Sequence, residues 1–178
     1  MSAATTRLVS LDDVPALTAL AIANRDHLAP WQPTPAPDAA TEQGQASGVT
    51  SALEAWAAGQ MLPHVIVDGA GAVVGRVTLN SIIRGAFQSA SVGYWVDVRR
   101  TGEGLATAAV ASVVRTAFDE LGLHRLQGET LAHNTASRRV LERNGFVEYG
   151  VAPDYLRIDG RWQEHVLYQL VHADWSPA

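Results

Sequence analysis

The sequence predicts an α/β (α+β) fold: a mixed, mostly antiparallel sheet of about seven strands flanked by about four helices. Three observations carry this expectation. Strand-like runs separated by short glycine-bearing turns dominate the chain, with helical stretches between them. One stretch, Leu105 to Leu121, sets apolar residues at 105, 109, 110, 113, 114, 117, 118 and 121, a sustained helical period. Finally, 47% of the 178 residues are apolar, enough to bury one core in a single domain spanning residues 1–178.

The elements follow in order. Thr6 to Leu11 reads as a strand, and Asp12 and Asp13 open a helix that runs through Val14, Leu17 and Leu20 to about Arg25. Pro30, Pro33, Pro35 and Pro37 exclude helix or central strand and make 29–39 a loop. Thr41 to Gly59 is a second helix, weakened by Gly44 and Gly48. Met61 to Asp68, Ala72 to Arg84 and Phe87 to Val98 are three antiparallel strands joined by turns at Gly69 to Gly71 and at Gly85. The helix at 105–121 stops at Gly122, and Arg125 to Leu131 is a buried strand. Asn134 caps a short helix from Thr135 to Arg143, which Asn144-Gly145 ends. Phe146 to Asp159, Gly160, and Arg161 to Val171 form a last hairpin.

Composition excludes several classes of function. A formal charge of -5 argues against a protein that lives on a nucleic-acid backbone. No stretch approaches the roughly 18 apolar residues of a membrane span, and Met1 to Leu11 lacks the basic-then-apolar pattern of a secretory leader, so the cytoplasm is the expected location. Cysteine is absent, which removes disulfides, thiolate metal sites and a cysteine nucleophile. The six histidines are scattered without an i, i+4 pair beside an acid, so no metal is expected. All thirteen basic residues are arginine, and seven fall between Arg99 and Arg143. Arg99, Arg100, Arg138, Arg139 and Arg143 are thereby candidates to meet one polyanion, or else form a solvated face.

Arg99-Arg100-Thr101-Gly102-Glu103-Gly104 lies between a strand and a helix. A strand that stops, a loop with two glycines and an immediate helix start leave several backbone N–H groups unpaired at a positive helix end, a cradle for phosphate. Thirty residues on comes Asn134-Thr135-Ala136-Ser137, in a helix ending Asn144-Gly145-Phe146. These two motifs, in this order, resemble the GNAT N-acetyltransferases: the first matches the family's Gln/Arg-x-x-Gly-x-Gly/Ala loop, the second its Asn-x-x-Ser helix. His27-Leu28-Ala29-Pro30-Trp31, Gly93-Tyr94-Trp95, the stretch from Phe118 to Arg125, and Asp154 to Trp162 with His165-Val166-Leu167 resemble the RimJ/RimL branch. Members of that branch acetylate N-terminal α-amines of ribosomal proteins. The resemblance covers residues 6 to 175 and is weakest from Pro33 to Gly59.

The resemblance implies a sheet splayed at a site for acetyl-CoA, and a protein or peptide N-terminus, including that of a ribosomal protein, as acceptor. It implies pantetheine against the strand edge at Val96 and Val98. It places the pyrophosphate on the loop of Arg99, Arg100, Thr101, Gly102, Glu103 and Gly104 and the helix start at Leu105, Ala106 and Thr107, with Arg139 toward the nucleotide. Asn134 would contact pantetheine while capping its helix, and Ser137 would hydrogen-bond the departing sulfur, although a serine in a first turn also serves as a cap group. Trp31, Asn80, Tyr94, Tyr155 and Trp162 are candidates to line the acceptor groove; each aromatic one, taken singly, fits a core better. The chain departs from the family in its base. The strand before the loop reads Gln88-Ser89-Ala90-Ser91-Val92, without the usual glutamate, and some relatives' alternative in the last hairpin falls on Leu156. Glu129 is the nearest acid on an adjacent strand, as a base or as a solvated or salt-bridged side chain. A missing strong base favours an α-amine acceptor; a small-molecule amine, or CoA binding with little catalysis, are the rival readings.

Overall fold

The computed structural model describes residues 5–176; residues 1–4, where the stretch read for a leader begins, lie outside the described residues. Seven strands form one sheet in the order β1-β2-β3-β4-β5-β7-β6. They are β1 (Thr5–Leu8), β2 (Leu62–Val67), β3 (Val73–Ile83), β4 (Ser89–Val96), β5 (Arg125–Leu131), β6 (Val147–Ile158) and β7 (Arg161–Val171). All neighbours are antiparallel except β4 and β5, which run parallel. The helices are α1 (Val14–Leu28), α2 (Glu42–Ala57), α3 (Leu105–Arg115) and α4 (Thr135–Arg143). Seven strands and four helices are those the periodicities predict, and the mixed sheet is the one the resemblance implies.

Two apolar layers sandwich the sheet. On one face Leu105, Ala109, Val110 and Val113 of α3 and Leu141 of α4 pack on Ile66, Val77, Leu79, Val92, Leu126 and Tyr168. On the other, Val14 and Leu17 of α1 and Val49 of α2 pack on Val65 and Val67. The second layer covers the β1–β3 end of the sheet, so the face beyond β4 stays accessible on the side of α1 and α2.

Element ends differ from expectation for identifiable reasons. Strand β1 stops at Leu8 rather than Leu11, because the Asp13 carboxylate takes the Ser10 backbone N–H at 2.8 Å and the Arg7 guanidinium at 2.6 Å, curling 11–13 into a 3-10 turn. Helix α1 runs past Arg25 to Leu28, with Pro15 in its first turn and no proline before Pro30 to stop it. Helix α2 keeps its early glycine because a Cβ at Gly44 would strike the Asp38 carbonyl oxygen. Helix α3 widens after Arg115 into a π-turn, Thr116–Glu120, in which the Leu121 N–H reaches the Thr116 carbonyl at 2.9 Å.

Candidate active site

The site is built where β4 and β5 part. Their parallel pairing holds only at Ser89 with Arg125, Ala90 with Leu126 and Ser91 with Gln127. Beyond these, β4 continues to Val96 paired with β3 alone, and β5 continues to Leu131 paired with β7 alone. The Asp97 N–H donates across β3 to the Val74 carbonyl at 2.8 Å. Alternation along a strand therefore turns the backbone groups of Val96 and Tyr94 into the gap, where an extended ligand can pair with them.

At the wide end of that gap the backbone of 98–101 is fully committed. Asn24 Oδ1 accepts the Val98 N–H at 2.7 Å, Asp97 accepts those of Arg99 and Arg100, and Val98 accepts that of Thr101. From Gly102 to Thr107 no N–H has a partner among the described residues, and the first intrahelical bond of α3 is Ala108 N–H to the Gly104 carbonyl. Gly102 and Gly104 sit at φ +82° and +80°, a backbone conformation that costs a side-chain-bearing residue about 1 kcal/mol or more. The cradle is thus narrower than the sequence motif: Val98 offers no free N–H, and six consecutive donors begin at Gly102.

The loop arginines support the cradle from outside. Arg99 grips Asp97 at 2.6 Å, and Arg100 holds Asp68 at 2.6 Å and Glu103 at 2.9 Å. These hydrogen bonds hold Asp97, Asp68 and Glu103 below the ordinary carboxylate range. Arg138 turns away to Tyr168 and Glu148. The five-arginine convergence is therefore not found, because three of the five answer carboxylates or a phenol of their own chain. Arg139 and Arg143 form no ion pair among the described residues and remain on α4.

Asn134 Oδ1 accepts the Ser137 N–H at 3.0 Å, the expected cap. The Ser137 hydroxyl then faces Tyr94, whose phenol lies 3.0 Å from both Ser137 Oγ and the Ser137 carbonyl oxygen. Burial pushes the Tyr94 hydroxyl up to about 12, against the opposing hydrogen bond from Ser137. Tyr94 thus lies on the α3–α4 side, whereas the other groove candidates face the opposite side. There Asn80 stands across from Ser91, with its amide over Gly93.

On that open side Glu129 Oε2 accepts the Ser91 hydroxyl at 2.7 Å, at the point where β4 and β5 separate. Glu129 is half-buried and forms no salt bridge among the described residues. Tyr155 packs against buried His165 with ring centres 5.3 Å apart, and burial raises its pKa with the Glu129 charge adding to the rise. Trp31, from the proline loop, reaches the His133 ring at 5.4 Å, joining α1 to the turn before α4. Trp162 is not core: 61% exposed near the tip of the last hairpin, it lines a shallow cleft with Ala132, His133, Arg161, Gln163 and Glu164. Leu156, opposite Gln163 on β6, puts no acid there. Sequence reasoning missed Asn24, Ser91 and His133; only Asn24 left a signal, a poor helix former inside a helix.

A sheet opened between parallel central strands, with a donor-rich loop and helix start at its mouth, defines an acyltransferase fold. The chain matches the family described as "Acetyltransferase (GNAT) domain" over residues 5–147. It belongs to the GNAT acetyltransferase family. Among solved structures it is similar to the ribosomal-protein-S5-alanine acetyltransferase of Vibrio fischeri, at 30% identity and TM-score 0.93 over 99% of this chain and 100% of that one. It is also similar to Mycobacterium smegmatis RimJ in complex with CoA-disulfide, at 35% identity and TM-score 0.91, over 98% of this chain and 84% of that one. The [ribosomal protein uS5]-alanine N-acetyltransferase of Escherichia coli is 34% identical over 105 residues, 59% of this chain and 54% of that protein. The chain spans just over half the length of the first curated relatives it matches, 56% and 54%.

Proposed function

We propose that this chain is a single-domain, acetyl-CoA-dependent N-acetyltransferase of the cytoplasm whose acceptor is the α-amine of a protein or peptide N-terminus, that of a ribosomal protein above all. One observation carries the reading: six unpaired N–H groups from Gly102 to Thr107 stand at the mouth of a gap whose inner end holds Ser137 on one side and Glu129 on the other. Supporting it are the relatives named for ribosomal-protein acetylation and the neighbouring structure solved with a CoA disulfide. In this reading the run from Gly102 holds the pyrophosphate, Val96 pairs with pantetheine, and Arg139 lies toward the nucleotide end. Acetyl-CoA supplies the activated acyl group. Asn134 fixes the first turn of α4, and Ser137 donates to the sulfur as the thioester opens.

The acceptor side needs a neutral amine. With reference values near 8 and 10.4, exposing one at pH 7 costs about 1.4 kcal/mol for an α-amine and about 4.6 kcal/mol for a lysine. Glu129, joined to the Ser91 hydroxyl where the strands part, is the acid this reading gives that proton to, and Asn80, Tyr155 and Trp31 border the approach. An α-amine asks less of any base than a lysine does.

Thiol release from acetyl-CoA by the purified protein tests this against free-N-terminus peptides, the same peptides blocked at the N-terminus but carrying lysine, and small amines. Release is expected with free α-amines and to fall about 100-fold or more in Glu129→Gln, the range of a general acid–base contribution. Faster reaction at lysine or at a small amine overturns the acceptor, and release independent of any acceptor reduces the chain to a CoA-binding module.

A further inference from the structure

We propose that Tyr94 is the positioning residue for the Ser137 hydroxyl, holding it between a resting orientation and one directed at the departing sulfur. This rests on the role given to Ser137 above. Tyr94 Oη has one proton and two neighbours at 3.0 Å, the Ser137 carbonyl oxygen and Ser137 Oγ. The carbonyl can only accept. When the phenol donates to that carbonyl, the Ser137 hydroxyl is free to donate to Tyr94 Oη, which is the resting arrangement. When Ser137 turns its proton to the sulfur, the phenol can donate to Ser137 Oγ instead and polarise it. In the second arrangement the Ser137 carbonyl gives up the phenol and keeps the N–H of the next helical turn, so the hydroxyl exchanges between the two without leaving a polar group wholly unpaired.

Placement makes this specific. Tyr94 lies on β4 in the stretch beyond its pairing with β5, with its ring packed against the α3–α4 layer. Its hydroxyl therefore meets the first turn of α4 across the opened gap, and the turn is itself held by the Asn134 cap. Tyr94 is not the acid. A thiol titrates near 8.5 and the buried Tyr94 hydroxyl near 12, so full proton transfer from phenol to thiolate is unfavourable by about 3000-fold. The phenol keeps its proton and directs that of serine.

The test is a double-mutant cycle of Tyr94→Phe and Ser137→Ala, reading kcat, KM for acetyl-CoA and thermal unfolding. Phenylalanine keeps the ring and removes only the hydroxyl. Expected is a fall of about tenfold in kcat for Tyr94→Phe, with KM unchanged within about twofold and no further loss in the double variant beyond Ser137→Ala. Binding of CoA is expected to weaken in Tyr94→Phe while that of desulfo-CoA, which lacks the sulfur, holds; a merely structural role would move both together. Unchanged kcat in Ser137→Ala refutes the serine assignment on which the proposal rests. A loss in Ser137→Ala with additive or absent effects in Tyr94→Phe overturns the proposal itself. An unfolded Tyr94→Phe overturns it also, by making the hydroxyl a requirement of folding.

Discussion

Asn24 shows how one side chain far from the chemistry shapes the phosphate cradle. It is fully buried in α1, donates to the Leu20 carbonyl at 2.9 Å and accepts the Val98 N–H at 2.7 Å. Asn24→Ala leaves that N–H without its partner, a cost of about 1–3 kcal/mol, and frees the 3-10 turn 98–100 that leads into Gly102. The expected outcome is that loss in urea unfolding together with a several-fold higher KM for acetyl-CoA. Lost stability with unchanged KM would confine Asn24 to the fold. Such a contact is not legible in sequence, since 74 residues separate its partners, and the same holds for Ser91 and Glu129, 38 apart. Gly102 and Gly104 were legible because a strand, a fixed glycine spacing and a helix start are local facts. Tyr94 is a groove candidate by residue type alone, and which face its side chain takes depends on the register of β4, which points it at α4.

At the scale of elements, the course of β4 decides where a ligand can pair, and Gly75 on β3 sets that course. Gly75 stands opposite Val96, and a Cβ there would run into the Trp95 carbonyl oxygen and sit 3.0 Å from the Val96 Cα. Those obstacles are backbone and cannot rotate aside. Gly75→Ala is therefore expected to displace the end of β4, cost about 1–3 kcal/mol as overpacking does, and raise KM for acetyl-CoA more than it lowers kcat. Thermal unfolding with steady-state kinetics checks it, and a wild-type melting point would show the two strands have slack. Helix α4 is fixed to the same region: Asn144 donates to the Thr107 carbonyl at 3.2 Å, joining its C-terminal end to the first turn of α3. The strands and helices were legible because each announces its own period and turns. The parting of β4 from β5 follows no residue pattern and entered only through the family resemblance. The bulge in β6 was illegible too: 153–155 face the single residue Glu164, with Asp154 at φ +49° in a conformation that favours glycine.

Across the whole molecule, stability should depend on pH in two separate windows. His64 on β2 bonds Thr6 on β1 at 3.2 Å, and Thr6 bonds Ser112 on α3 at 2.9 Å, tying a half-buried imidazole to two other elements through one hydroxyl. Burial lowers the His64 pKa beneath its ordinary 6.5. The unfolded chain then binds the extra proton first, so this contribution is complete above 6.5 and drains as pH falls toward the folded value. Asp13, Asp97 and Asp68 are lowered from 3.8 chiefly by hydrogen bonds from Arg7, Arg99 and Arg100. Their contribution is complete above 3.8 and is lost as pH falls through their folded values. The melting temperature should therefore decline gently below pH 6.5 and steeply below about 4, where the cradle loop loses both arginine clasps together. His64→Gln should flatten the upper limb and leave the lower one, and Asp97→Asn should weaken the lower limb and leave the upper one. Calorimetric scans from pH 8 to 2.5 on the three proteins decide it: an upper limb that survives His64→Gln would move that titration to another group, and a lower limb untouched by Asp97→Asn would leave the loop clasp without weight in the fold.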